Sequence, residues 1–360
     1  MASELQPVIP VPSQPGAVDP RPYPPSTINR FMRFVDGLPI PYWLTYLALF
    51  VVESVLVHLL AWLDGWLPAL TFSPLLLIFP LWTWGPLLII RYLDSVSQWA
   101  LSVFTPLLDA PEGEIRRLKY EFSNMPARSA LISAILWSCV YLIFAFAAFQ
   151  PFYAFFHYST LYFVIGFVDG LKCFFIGSVL YYHTIRQLLL VNRTVRMAKP
   201  LNLFRLDPVY AFSLVTSRTG VAWVILDSIT LLLFPIQLAP VPVLSMMMVQ
   251  VVLVLGAFVL PLWVVHQRLV AEKHRLVAAL NQRVESTLVR LHHCLDDHEL
   301  GEVDQLNSAI TGLEAEREIL ARIPTWPWRA GVISCFLTIV VIPILLFLLQ
   351  LALDYYWLSK

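Results

Sequence analysis

The sequence predicts an all-α, polytopic membrane protein of about seven transmembrane helices, with cytoplasmic helix extensions and an antiparallel helical hairpin between the last two spans. Three observations carry that prediction. The chain is 58% hydrophobic and 13% charged, with a mean hydropathy of +0.71, where a soluble domain is roughly 45–50% apolar and ~25% charged. Apolar runs of about twenty residues, the length that crosses a bilayer, recur from Tyr42 to Ala352. The basic residues gather in alternate connections between those runs, as the positive-inside rule requires.

Residues 1–25 hold eight prolines and no apolar core, which reads as a disordered tail without a cleavable signal. Residues 26–265 form a six-span membrane region. It opens with STINRFMRFVDGLPIP, where Arg30 and Arg33 lie beside Phe31, Phe34 and Val35, the pattern of a short interfacial helix. The first span, Tyr42–Trp62, carries Glu53 and His58. The second, Phe72–Ile90, contains Pro74, Pro80 and Pro86 and is expected to be kinked or re-entrant. Tyr92–Leu108 spaces Leu93, Val96, Ala100, Val103 and Leu107 at helical intervals with Asp94, Ser97 and Gln98 between them, which predicts a surface-lying or loosely buried amphipathic helix. A charged linker follows. The third span is Ala130–Phe149 and the fourth Leu161–Tyr182.

The fourth helix overruns the membrane through HTIRQLLLVNRTVRMAK until Pro200 stops it. A loop with turn chemistry at Asp207–Pro208 and a helix start at Val209 precedes the fifth span, Val221–Leu238. The sixth, Val243–Val265, also continues without a Pro or Gly into residues 266–328, the predicted coiled-coil-like hairpin. At ~1.5 Å per residue, about fifty unbroken residues make a rod of roughly 75–80 Å, more than twice the ~30 Å hydrocarbon core. The hairpin seam is read as Leu276, Leu280, Leu288, Leu291 and Leu295 outward, then Leu306, Ile310, Leu313 and Leu320 on return, with spacings of three and four. Residues 329–360 supply the last span, Gly331–Ala352, and a short external C-terminus. Trp326, Trp328 and Arg329 at its entry are the expected interface anchors.

With seven spans, every Lys and Arg except Lys172 and Lys360 falls on one side. That side is cytoplasmic, so the N-terminus is inside and the C-terminus outside, in a plasma or bacterial inner membrane. The bilayer is one partner, a second copy of the chain another, and a cytosolic protein at the hairpin a third. Zero net charge argues against a nucleic acid.

Candidate chemistry is sparse. Glu53, Asp169 and Lys172 each stand about ten residues from a predicted membrane entry, where a charge costs at least ~2.5–3.5 kcal/mol and must be paired or wet. Asp169 and Lys172 are three apart on one helix and can touch. The cluster is either an ion, proton or polar-ligand site or a charge pair locking two helices. Asp227 and Gln250, also inside spans, can line the same pathway or bond across helices. The turn HHCLDDHELGE places His292 and Asp296, and His293 and Asp297, four apart; it reads as a polar hairpin tip, and no metal site is assigned. The cysteines Cys139, Cys173, Cys294 and Cys335 show no CxxC spacing. No GxSxG, Walker or HExxH motif occurs, so no cofactor is expected and an enzyme is disfavoured.

The order of features resembles the insect odorant and gustatory receptor channels, with seven helices, an inside N-terminus and a last helix split into cytoplasmic and membrane parts. The resemblance is one of architecture across most of the chain, with no shared motif. It implies that Gly331–Ala352 lies near an oligomer axis, where an apolar segment could act as a hydrophobic gate. The expected function is therefore an oligomeric channel or membrane sensor coupled through the hairpin. The alternatives are a secondary transporter using the midplane charges, for which no inverted repeat is evident, and a non-transporting scaffold that binds a cytosolic partner.

Overall fold

A computed structural model describes residues 22–147, 160–200, 202–204, 206–233, 240–297, 301–327, 341–342, 344–349 and 352, and among these there is no strand. The helices are α1 (Thr27–Asp36), α2 (Tyr42–Leu63), α3 (Ile78–Phe104), α4 (Glu112–Ser123), α5 (Ala127–Ala147), α6 (Thr160–Arg196), α7 (Asp207–Leu233), α8 (Pro240–Asp296) and α9 (Val303–Arg322). Among the described residues four helices are long and apolar enough to cross a membrane: Tyr42–Leu63, Pro74–Leu107, Gly166–Arg196 and Asp207–Leu233. Their outward faces suit hydrocarbon. On α2, Leu47, Val51, Val55 and Leu59 are exposed while Tyr46, Val57 and Ala61 turn inward, and α5 exposes Leu131, Ile135, Val140 and Ile143. Apolar rows of that length left open to water would be an aggregation surface.

The short helix α1 is seated rather than free. Ser26 caps it by accepting from the Asn29 N–H at 3.1 Å. The Asn29 carboxamide then bridges the α4–α5 turn, donating to Ser123 O at 3.1 Å and accepting from Met125 N at 2.9 Å. Just upstream, the Tyr23 hydroxyl donates to Asn124 O at 2.9 Å and accepts from Arg186 of α6. Burial pushes the Tyr23 phenol up, so it stays a neutral donor.

Two sequence expectations are corrected in α3. Phe72–Ile90 and Tyr92–Leu108 are not a re-entrant segment followed by a separate surface helix. One 3-10 turn, Pro74–Leu77, leads into a single continuous α-helix that contains Pro86. Pro74 and Pro80 fall in opening turns, where the missing N–H has no intrahelical partner to lose. One face of the second half of α3 is buried, with Leu93, Ala100, Leu101 and Phe104 in the core together with Asp94 and Ser97, while Tyr92, Ser95, Gln98, Trp99 and Ser102 are exposed. The charged linker, in turn, contains α4, which packs Leu118 and Phe122 into that same core.

The core has two levels. One lies among the spans, around Trp82, Ile90, Cys173, Leu180 and Trp223. The other gathers the ends of the long helices: Phe104 from α3, Val191 and Val195 from α6, Phe212 and Val215 from α7, and Leu262, Val265 and Leu269 from α8. Arg91, paired with Asp36 at 2.9 Å and lying over Tyr42 at the start of α2, marks the step between them.

Helix α6 packs closely through small residues. A Cβ at Gly170 would overlap the Tyr141 phenol of α5, and one at Gly177 would sit 3.3 Å from the Trp82 ring. Gly170→Ala is expected to destabilise the bundle by about 1–3 kcal/mol, the usual cost of overpacking. Thermal unfolding in detergent measures it, and in a Tyr141→Ala background the same Gly170→Ala change should cost little, because the overlapping phenol is gone.

Helix α8 runs 57 residues without interruption, about 85 Å. The returning helix α9 lies antiparallel to its second half: Lys273 donates to Ala321 O and Ile323 O, both at 2.9 Å, and Arg290 pairs with Glu302 at 2.9 Å. Of the predicted seam, Leu280 and Leu320 are buried and Leu276, Leu291, Leu306, Ile310 and Leu313 half-buried. Leu288 and Leu295 are exposed, at 38% and 44%, while the neighbouring Thr287 is half-buried and Cys294 buried. The inward line is thus 280, 284, 287, 291, 294. The three-four alternation chooses it over the more apolar neighbours, because the facing surface of a narrow pair follows angle before hydropathy.

Candidate functional site

The candidate site stands half-way along α2, where Glu53 meets α6. Lys172 Nζ lies 2.7 Å from Glu53 Oε1 and 2.8 Å from Asp169 Oδ1. Asp169 and Lys172 share a face because they are three residues apart on a helix, and the packing of α3 against both α2 and α6 brings Glu53 within reach of the long Lys172 side chain. The other Glu53 oxygen accepts from the Trp84 indole at 2.7 Å. Thr83, one residue earlier on α3, has its hydroxyl 3.4 Å from Glu53 Oε1 and 2.8 Å from Phe79 O. The next residue of α6, Cys173, is buried and turns its thiol to Phe79 O at 3.1 Å. Three helices therefore contribute: α2 one acid, α6 the acid–base pair, and α3 the neutral donors.

Two carboxylates share one ammonium, so the ionised cluster carries one net negative charge. It is not sealed. The Lys172 side chain keeps 33% of its surface accessible, against 14% for Glu53 and 17% for Asp169. At mid-span an accessible ammonium cannot face hydrocarbon without a cost of several kcal/mol. Its open side must meet water, a solute or another protein surface.

The other sequence candidates are not in this cluster. Asp227, on α7, makes no contact with the triad; its Oδ1 is buried without a hydrogen-bond partner, as is Ser228 Oγ. Gln250 falls within α8, and its side chain lies outside the described residues, as do Trp328 and Arg329. Trp326 is half-buried and stacks on His266 of α8, with centroids 4.0 Å apart, while His266 Nδ1 donates to Thr325 O at 3.0 Å. At the hairpin tip, His293 pairs with Asp297 at 2.6 Å. His58 is held locally: one ring nitrogen donates to Ser54 O at 2.8 Å and the other accepts from Ser73 N at 3.3 Å. Gly331–Ala352 lies largely outside the described residues; those within it at 341–342 and 344–349 are helical, and Val341, Ile344, Leu345 and Leu348 are exposed.

The sequence leaves the segment Arg268–Leu280 free to pack on the extension of the fourth helix, without assigning Arg268 itself a role. Its guanidinium donates to Val195 O at 2.6 Å, Arg196 O at 2.7 Å and Ala198 O at 3.1 Å, closing the C-terminal end of α6 from the side of α8. No local pattern distinguishes it from the other basic residues of the hairpin, since its partners lie about seventy positions away.

Neither a family model, nor a curated protein, nor a solved structure matches the chain.

Proposed function

We propose that the protein is an oligomeric membrane channel or sensor of seven crossings, in which Glu53, Asp169 and Lys172 line an ion or polar-ligand pathway. In this reading the crossings are made by α2, α3, α5, α6, α7, the first part of α8 and Gly331–Ala352. The basic connections then face the cytoplasm, placing the N-terminus inside and the C-terminus outside, in a plasma or bacterial inner membrane. Asp227 and Gln250 are assigned to the same pathway. The single observation that carries this reading is the mid-span ammonium, tied to two carboxylates yet one-third accessible. The hairpin supports the coupling half, since α6, α7 and α8 share one core beyond the spans and α8 leads directly from it into the hairpin.

Flux through the purified chain in sealed vesicles tests the pathway. Glu53→Gln keeps the acceptor for Trp84 and removes one charge, so it should fold normally and change ion selectivity or flux severalfold. A wild-type chain that passes no ion under any pH, voltage or salt gradient would overturn permeation. The charge triad also favours a second reading, a secondary transporter. Its flux would saturate with substrate and follow a coupling gradient, whereas channel flux would do neither.

The oligomer reading is supported by the hairpin arms, where Leu288, Val289, Leu295 and Ile319 are exposed. Four large apolar side chains on one arm pair suit a second copy better than water. Leu288→Glu with Leu295→Glu is expected to convert the assembly to monomers in native mass spectrometry without unfolding the bundle. Unchanged stoichiometry would move the subunit contact elsewhere.

A further inference from the structure

Away from the triad, one turn beyond Arg91, α3 and α6 bury a second polar cluster that the reading above does not use. Asp94, Ser97, His183 and Gln187 are all nearly inaccessible, at 4%, 0%, 2% and 1%. His183 Nε2 lies 2.8 Å from Asp94 Oδ1, and Gln187 Nε2 reaches the same oxygen at 3.4 Å. The cluster is not closed. His183 Nδ1, Gln187 Oε1 and Ser97 Oγ are buried with no hydrogen-bond partner.

The chemistry of those three atoms is specific. An ionised carboxylate only accepts, so the hydrogen between His183 and Asp94 sits on Nε2, which leaves Nδ1 of the neutral ring as an acceptor. Gln187, with its NH₂ turned to Asp94, presents its carbonyl oxygen, a second acceptor. His183 and Gln187 are neighbours at i, i+4 on α6, and Asp94 and Ser97 are neighbours at i, i+3 on α3. The interface thus holds an excess of buried acceptors, each costing about 1–3 kcal/mol while unpaired. One added proton turns Nδ1 from an unpaired acceptor into a donor, and the imidazolium is countered by Asp94 at hydrogen-bond distance.

We propose that His183 and Asp94, with Gln187 and Ser97, form a proton-binding site that couples protonation to the packing of α3 against α6. The proton comes from solvent and adds to the lone pair of His183 Nδ1; no bond other than N–H forms, and the pair changes from neutral imidazole with carboxylate to imidazolium with carboxylate. The surrounding charges set the balance. Arg91, also paired with Asp36, and Arg186, also held by Tyr23, are the cations whose fields reach Asp94. From α7, Arg218 lies over Tyr92 and Trp223 donates to Thr184 at 3.0 Å. Asp94, at hydrogen-bond distance, and the unpaired Gln187 Oε1 and Ser97 Oγ are the groups of α3 and α6 that a second proton on His183 would meet. Trp223, bonded beside His183, gives the state an optical reporter.

The full chain, labelled with ¹⁵N in its imidazoles and reconstituted in lipid, tests this. The His183 signal is assigned by its loss in His183→Gln, or in His183→Asn should that variant misfold. Between about pH 5 and 8 the His183 nitrogens should pass from the neutral to the doubly protonated shift pattern, with Trp223 emission changing at the same midpoint. Asp94→Asn should lower that midpoint by about one unit or more. A His183 that keeps one protonation state across the range overturns the proposal, and so does a midpoint that Asp94→Asn leaves unmoved. Ion flux and His183 titration are separate readouts, so a chain that titrates without conducting loses only the permeation reading.

Discussion

Lys172→Met is expected to abolish flux and to destabilise the protein by about 3 kcal/mol, the cost of leaving buried carboxylates without their countercharge. Glu53 and Asp169 both depend on the one ammonium, at 2.7 and 2.8 Å. Removing it places two like charges on facing helices in a low-dielectric slab, where each must be neutralised or drawn toward water. The same substitution made together with Glu53→Gln and Asp169→Asn removes all three charges and keeps an oxygen acceptor for the Trp84 indole. That triple variant should regain most of the lost stability. If it also regains wild-type flux, the triad is a lock between α2 and α6 and lines no pathway. If it is stable but silent, the charges themselves serve the solute. Thermal unfolding and vesicle flux on the same preparations separate the two.

The second large effect is expected at Arg268. Its three donations reach Val195 O, Arg196 O and Ala198 O, where the helix ends and its last carbonyls lack i+4 partners, although Val195 O also accepts from Ala198 N at 3.2 Å. A cation at a helix C-terminus is favoured as well. Arg196 is exposed and its carbonyl can turn to water, and Val195 O keeps the Ala198 N–H, so Arg268→Met should cost about 2 kcal/mol, from the charged hydrogen bonds lost. Arg268→Lys should recover only part, since a single ammonium cannot fork across three carbonyls. Hydrogen exchange is the telling measurement: amides over 194–199 should exchange much faster in Arg268→Met while those of α2 and α5 stay protected. Equal acceleration everywhere would mean that Arg268 supports the whole bundle and not the α6 terminus.

What the sequence made legible follows from what is local. The first span, the overrun of the fourth helix and the unbroken run into α8 were readable because each is a periodic apolar segment with its own stop signal. The Asp169–Lys172 pair was readable because three residues on a helix make one face, and Glu53 because charge at mid-span is expensive. The continuity of α3 was not. Prolines at its start resemble a break, although an opening turn tolerates them, and Asp94 and Ser97 resemble a wet face until His183 and Gln187 arrive from some ninety residues away. Polar residues at regular intervals on an amphipathic helix look the same whether water or another helix answers them. The seam shows the complementary limit: leucine at 288 was the more apolar choice, and the geometry of the pair turned Thr287 inward instead.

The bond between Arg268 and the end of α6 also has a mechanical meaning. From Arg268 to Asp296, α8 extends a further 28 residues, an arm of about 42 Å, so a tilt of about 5° at that pivot would sweep its tip by roughly 4 Å. A displacement that size is close to one helical turn of a neighbouring surface, enough for a side chain to change sockets. Subtle changes of angle among the spans would then be read at the tip as discrete steps.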